Sequence, residues 1–294
     1  MSKNIISNIE KSIHAKLKMK AKDKKIDVNI LMIRYALERF LFRLSLSDYK
    51  EKFILKGAML FLMWSDESFR TTKDSDFLML ERVEKESIKE IIKEICSIVP
   101  EENDGMSYNE DSIIFQDIKK EQNYKGLRVT LKSFLGKIPI PIQLDLGTGD
   151  IITPKNIISK FPTILESSSS PIIMTYTPET VIAEKLDAMV QLDLANSRMK
   201  DFYDIWVILN QLEYDKDILT QAIIATFKRR GTKFPKDKIN ALTPYFYDDK
   251  NKNIQWKAFM RKGAVIYNEL TLSDVCENIK EQLKDVFVKI RKKI

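Results

Sequence analysis

Two aspartates one residue apart, Asp74 and Asp76, are the side chains best suited to chemistry in this 294-residue chain. They open the run Ser75–Leu80, whose composition predicts a β-strand. Strand alternation puts both carboxylates on one face, roughly 7 Å apart along the chain. Carboxylates so placed can share a hard divalent cation such as Mg2+, which takes oxygen ligands and keeps positions open for water or phosphate. A third acid lies in the strand-like run Ile140–Leu146. There Ile142, Leu144 and Leu146 point one way, while Gln143 and Asp145 point the other, leaving Asp145 on the exposed face of an apolar strand. A solvated turn explains a lone Asp-x-Asp, and a ladder-end cap explains Asp145, so the trio needs support from elsewhere.

That support comes from Lys56-Gly57-Ala58, where a short strand gives way to a helix expected over Ala58–Trp64. A glycine there lets backbone N–H groups approach a phosphate, and a helix N-terminus favours its negative charge. Metal ions bridging a triphosphate would neutralise the leaving pyrophosphate and align an in-line attack by a hydroxyl. Asp74 and Asp76 would hold the metals, and Asp145 would help bind the second and take the hydroxyl proton.

Two later segments place charges in unusual positions. Thr177-Pro178-Glu179 is a helix start, with a Thr N-cap, Pro at the first helical position and an acid in the first turn. At about 100° per residue, Val181, Ile182, Met189 and Leu192 form one apolar stripe, and Lys185 falls inside it. Such a lysine either snorkels to solvent or meets an anion, of which a triphosphate is one. In the next helix Met199, Phe202, Ile205, Trp206 and Leu209 make the core face. Lys200 and Asp204 sit one turn apart opposite, with Asp201 at the edge. By spacing alone that is a surface ion pair worth a few tenths of a kcal/mol.

Composition removes competing chemistries. The single histidine, His14, lies in a lysine-rich helical stretch whose exposed face suits it, so imidazole-based triads and His-rich metal sites are excluded. Cys96 and Cys276 lack metal or redox spacing, which suits a reducing cytosol. No leader-like segment opens the chain, and its densest apolar run, Ala58–Trp64, is too short for a bilayer. A cytoplasmic protein without membrane contact is expected. With eight glycines and no Gly-rich nucleotide signature, dinucleotide and P-loop folds are disfavoured. The net charge of +7 is concentrated at the ends. Basic ends suit a polyanionic partner, although lysines along a solvated helix explain the first of them as well.

The elements that must position these residues follow from periodicity. Residues 1–50 predict two helices, the second capped by Asp27 and carrying Leu31, Tyr35, Leu41, Phe42 and Leu44 on its apolar side. Strands are expected over Phe53–Gly57, Ser75–Leu80, Ser112–Ile118, Gly126–Phe134 and Ile138–Leu146, with a helix over Lys85–Val99. Beyond the Pro/Ser-rich stretch Pro162–Pro178 the chain turns helical. The expected fold is α+β: N-terminal helices and a mixed β-sheet core over 1–170, then a helical domain over 171–294.

The run Phe53-Ile-Leu-Lys-Gly-Ala-Met-Leu-Phe61, followed by Arg70-Thr-Thr-Lys-Asp-Ser-Asp76, resembles the first motif of the AbiEii/AbiGii-type nucleotidyltransferase toxins. Glu184-Lys-Leu-Asp-Ala-Met189 and Arg198-Met-Lys-Asp-Phe-Tyr-Asp204 resemble the later KL-x-A and R-x-KD-x-x-D motifs. Looser similarity runs through Tyr124–Arg128, Leu144–Asp150 and Thr226–Arg230. The resemblance covers about residues 10–265 and implies a DNA polymerase beta-like nucleotidyltransferase core with a helical partner domain. It also implies Mg2+ at a two-metal site, an NTP substrate, a tRNA or other RNA acceptor, and a cognate antitoxin of the transcriptional-regulator type. By motif match Asp74 and Asp76 bind metal, and Lys185 with Asp201 or Asp204 completes the site. Arg198 and Lys200 then join Lys56, Gly57 and Ala58 as nucleotide-binding candidates, in a protein expected to act as a monomer. Gly57-Ala58 departs from the Gly-Ser or Gly-Gly of the wider superfamily, which removes a hydroxyl contact to phosphate. Transfer to a small molecule such as an antibiotic, and a catalytically silent nucleic-acid-binding module, are the competing readings.

Overall fold

The computed structural model describes residues 2–65, 72–80, 84–120, 124–154, 157–262 and 265–293. It divides into two units. The first comprises Met1–Asp66, Thr72–Gly149 and Ile158–Thr175, and the second includes Asp150–Ile157 and Tyr176–Ile294. The first unit thus runs past residue 170, because a strand at 172–175 belongs to its sheet.

The first unit opens with α1 (Ser2–Asp23) and α2 (Val28–Leu46). Asp27 caps α2 as its residue type predicts, its side chain accepting from the backbone N–H of Asn29 and Ile30. Strand β1 (Phe53–Lys56) leads through a 3-10 turn, Gly57–Leu60, into α3 (Phe61–Trp64). There follow β2 (Ser75–Met79), α4 (Lys85–Ser97), β3 (Met106–Lys120), β4 (Tyr124–Leu135), β5 (Ile138–Thr148), β6 (Ile158–Lys160) and β7 (Ile172–Thr175). Among the described residues these make a seven-stranded sheet in the order β3-β4-β5-β2-β1-β7-β6. The pairs β1/β7 and β2/β5 are parallel and the rest antiparallel, so the sheet is mixed as expected. Strands β6 and β7 are absent from the sequence reading. Each has four residues or fewer beside a Pro/Ser-rich run, too short to show alternation.

Helix α2 packs on β4, β5 and β7, with α1 and α4 beside it. Tyr108 on β3 donates its hydroxyl to the Ala36 carbonyl of α2 at 2.7 Å, which fixes the sheet face that α2 covers. Through the register, Ile142, Leu144 and Phe77 lie on that face and are buried. Helix α2 is unusual in burying Arg34, Glu38, Arg39 and Arg43 along with its apolar residues. Arg43 donates to both oxygens of Asp104, at 2.6 and 3.1 Å, and Arg39 donates to the Ser169 carbonyl at 2.8 Å. Buried charges persist when paired and hydrogen-bonded in this way. Helical periodicity reveals only the apolar side of α2.

The second unit is helical: α5 (Pro178–Leu192), α6 (Met199–Gln211), α7 (Lys216–Arg230), α8 (Pro244–Tyr247), α9 (Lys250–Lys262), α10 (Leu272–Gln282) and α11 (Lys284–Lys293). Thr177 caps α5 by accepting from Thr180 N–H, with Pro178 at the first position, as the residue types predict. Helix α5 packs on α6 and α7, α10 and α9 pack on α6, and α11 packs on α7. No helix among the described residues is long and apolar enough to cross a membrane.

Candidate active site

Strand register assembles the first group of site residues. Lys56 pairs with Asp76, Asp76 with Asp145, and Asp145 with Arg128, so one row of charges crosses β1, β2, β5 and β4. The signs run plus, minus, minus, plus. Directly opposed carboxylates repel, and the flanking cations offset that repulsion. Arg128 does so by a two-point clasp, Nε donating to Asp145 Oδ1 and Nη2 to Oδ2, both at 2.8 Å. Gln143 adds a third donor to Asp145 at 3.2 Å. The hydrogen bond to Asp145 pushes the Arg128 pKa up, and the nearby charges of Asp145, Asp74 and Asp76 add to it.

Asp74 immediately precedes β2, two residues before Asp76, and both are half-buried. The Thr72 hydroxyl donates to Asp74 Oδ1 at 2.8 Å. Gly57 closes the other side. Its φ is +75°, and a Cβ built there would stand 2.1 Å from Asp76 Oδ2. The glycine therefore serves two needs: a left-handed backbone and room for the carboxylate. Ala58 is buried behind it and Lys56 is buried beside it. The helix expected over Ala58–Trp64 is instead a 3-10 turn and a single α-turn. So few aligned peptides give little dipole, so a phosphate would find backbone N–H groups here rather than a helix terminus.

The two half-buried carboxylates Asp74 and Asp76 supply oxygen donors on one face and suit Mg2+ that takes its other ligands from water and phosphate. Asp145 does not join them here. It is 5% exposed, not on an exposed face, and Arg128 holds both of its oxygens. Among the described residues no three His, Cys, Asp or Glu side chains gather closely enough to hold a metal ion. The register sets Asp145 beside Asp76, and Arg128, which the sequence marks only within a loose motif, occupies both of its oxygens. The Arg70 and Thr71 of the first motif lie outside the described residues, as do the Tyr124 and Lys125 side chains.

In the second unit Lys185 of α5 meets an anion and does not snorkel. Its Nζ lies 2.6 Å from Asp201 Oδ1 and 2.9 Å from Asp204 Oδ2 on α6. Both aspartates are 1% exposed, which overturns the surface Lys200–Asp204 pair; Lys200 is exposed and Asp204 is not. Arg198 Nε stands 2.6 Å from Asp201 Oδ2 as an ion pair without hydrogen-bond alignment. Met199, Phe202, Ile205 and Leu209 are buried as the helical spacing predicts.

A second cluster joins two loosely similar segments, at Asp150 and Arg230, to the motif helix α5. Arg230 lies 2.8 Å from Asp150 Oδ1, 3.1 Å from Asp187 Oδ2 and 3.5 Å from Glu184 Oε1. Burial pulls the Arg230 pKa down, and the charges of Glu184, Asp150 and Asp187 outweigh it and push it up. Tyr176 donates to Glu184 at 2.8 Å. Arg230 thus fixes α5, which carries Lys185, to the C-terminal end of α7.

Two solved structures share this fold. A crystal structure described as a candidate nucleotidyltransferase from H. pylori matches with TM-score 0.53 and 14% identity, covering 92% of this chain and 99% of that one. JHP933 from Helicobacter pylori matches with TM-score 0.52 and 15% identity, covering 90% and 94%. No curated protein sequence matches the chain. The family model described as "Nucleotidyl transferase AbiEii toxin, Type IV TA system" matches residues 39–267, and the chain belongs to that family of toxin nucleotidyltransferases.

Proposed function

We propose that this toxin acts in the cytoplasm as a Mg2+-dependent nucleotidyltransferase that moves a nucleotide from an NTP onto an RNA, at the tRNA 3′ end, and releases pyrophosphate. The observation that carries the reading is the charged row across the sheet, with Asp74 and Asp76 half-buried beside Gly57. When bound, Mg2+ would supply charge neutralisation on the triphosphate and the departing pyrophosphate. Asp74 and Asp76 would hold it, and the Gly57 backbone N–H would face a phosphate oxygen. The acceptor hydroxyl oxygen would bond to the α-phosphorus while the bond from that phosphorus to the bridging oxygen of pyrophosphate breaks, and the hydroxyl proton would pass to solvent water.

Arg128 clasps Asp145 through Nε and Nη2, so both carboxylate oxygens already accept from a cation. We therefore assign Asp145 to positioning Arg128, whose guanidinium would meet a phosphate, and not to proton transfer. In the second unit we assign Lys185 to NTP use, on its motif and its burial between two carboxylates. The family's Type IV systems imply a cognate antitoxin.

The test is incubation of the purified protein with Mg2+, each labelled NTP in turn, and total RNA. Label in tRNA-sized bands, lost in Asp76→Ala, supports the proposal. Label that enters small molecules and no RNA sinks the acceptor assignment.

A further inference from the structure

The second unit holds a feature that the nucleotide chemistry leaves unused. Helix α9 carries Lys250, Lys252, Lys257, Arg261 and Lys262 and no acid. Lys250, Ile254, Lys257 and Arg261 follow at helical spacing, so they share one face, and all four are exposed. Ile254 is 65% exposed within that basic stripe. Lys257 and Arg261 also line a cavity of about 580 Å3 between α9 and the segment 265–271. Met260 and Trp256 form its apolar wall, and Asn253 and Asn268 its polar edge. Trp256 is held in place by donating Nε1 to the Leu270 carbonyl at 2.8 Å. Glu269 is the single acid of the lining, and among the described residues it forms no ion pair with either cation.

We propose that this groove binds an unpaired stretch of the RNA acceptor, its phosphates on the Lys250–Lys257–Arg261 stripe and one base in the cavity. The inference rests on the RNA-acceptor reading above and adds the surface that takes the acceptor. Three arguments carry it. The stripe runs about 16 Å along the helix, a length that meets successive phosphates, and cations held apart from carboxylates release counterions when a polyanion binds. Met260 offers a base an apolar face, and the Asn268 amide and the Asn253 Oδ1, whose Nδ2 already donates to the Tyr247 and Asp249 carbonyls, offer hydrogen-bonding edges. The groove is also tied to the R-x-KD-x-x-D helix: Phe259 packs edge-on to Tyr203 with ring centres 5.7 Å apart. Lys252 donates to the Asn196 carbonyl at 2.7 Å, and the Asn196 side chain accepts from Arg198 N–H at 2.8 Å.

The experiment uses the full chain with charge reversal at Lys257→Glu and Arg261→Glu together, on exposed side chains whose change leaves the core intact. Binding of a fluorescein-labelled single-stranded RNA is measured by anisotropy across a salt series without NTP. The variant is expected to bind about tenfold or more weakly, with the slope of log K against log salt reduced by about 1.4 for two lost contacts. Its circular dichroism and Tm should match wild type. Equal RNA binding by the variant overturns the proposal, and so does displacement of RNA by poly-glutamate at matched charge, which would mark an acidic polypeptide as the occupant. Wild-type protein that binds RNA through this face yet transfers no label to it would refute the transferase reading and leave the surface assignment standing.

Discussion

The carboxylate of Asp76 occupies the space in which a side chain on Gly57 would begin, its Oδ2 standing 2.1 Å from the position of a Cβ there. The link joins the end of β1 to β2 and ties the backbone proposed to meet a phosphate to the acid proposed to hold a metal. Gly57→Ala should therefore cost at least about 1 kcal/mol through the left-handed backbone alone. It should also reduce nucleotide transfer by about a hundredfold, because displacing Asp76 misplaces the reacting groups. Asp76→Ala should abolish transfer and leave Tm near wild type, since it removes no core volume. Urea unfolding of the two single variants and the double variant checks the linkage. The cost of Gly57→Ala should shrink when Asp76 is Ala, and strict additivity would show the two residues to be independent.

Arg128 and Asp145 should behave as a pair. Arg128→Ala leaves a buried carboxylate without its clasp, at a cost of about 2 kcal/mol, less than for a fully buried pair because the arginine is about one-third exposed. Asp145→Asn removes the charge and should recover much of that loss in the Arg128→Ala background. In activity, Asp145→Asn should raise KM for NTP and lower kcat by no more than about tenfold, since general-base removal typically costs 100-fold or more. Complete loss of kcat, as in Asp76→Ala, would return Asp145 to the role of base or third ligand.

Lys185→Ala should unfold more readily than wild type by about 3 kcal/mol, because Asp201 and Asp204 are both buried beside it. A solvated lysine would cost almost nothing. Lys185→Arg keeps the charge and should retain most of the stability while impairing NTP use, as guanidinium and ammonium differ in shape. Differential scanning calorimetry beside single-turnover transfer assays separates the two effects. An unchanged Tm in Lys185→Ala would contradict the buried cluster.

Much of this was legible in the residues. Asp27 and Thr177 announced their helices through cap chemistry, and alternation in Ile140–Leu146 put Asp145 on the face opposite Leu144. The missing parts share a physical cause. Periodicity reports which face of an element a residue occupies, but not which distant side chain comes to meet it. The Arg128 clasp on Asp145 spans 17 residues, the Arg230 ties to Asp150 span 80, and the lysine that meets Asp204 lies on another helix. Strand β7 failed for a different reason: it is as short as β1 but adjoins a Pro/Ser-rich run that reads as a loop. Family motifs marked several of these segments without saying which atoms join.

Glu38 gives the fold a pH dependence separate from catalysis. It is 1% exposed on α2, and burial pushes its pKa from 4.5 up to about 7, against the pull of Arg39 and the Ile164 N–H; Asp104 adds to the rise. A carboxyl raised in the folded state binds its proton more tightly there than in the unfolded chain. Its contribution to stability is therefore fully present below about pH 4.5 and is lost as pH rises towards 7. Arg39 Nη2 lies 2.7 Å from Glu38 and limits the effect to on the order of 2 kcal/mol. Glu38→Gln keeps an acceptor for Ile164 N–H and removes the titration. The difference in unfolding free energy between this variant and wild type, measured at pH 5 and pH 8, should move in favour of the variant at pH 8. A difference constant across that range would mean that Arg39 holds Glu38 ionised throughout, and that the ion pair overcomes burial.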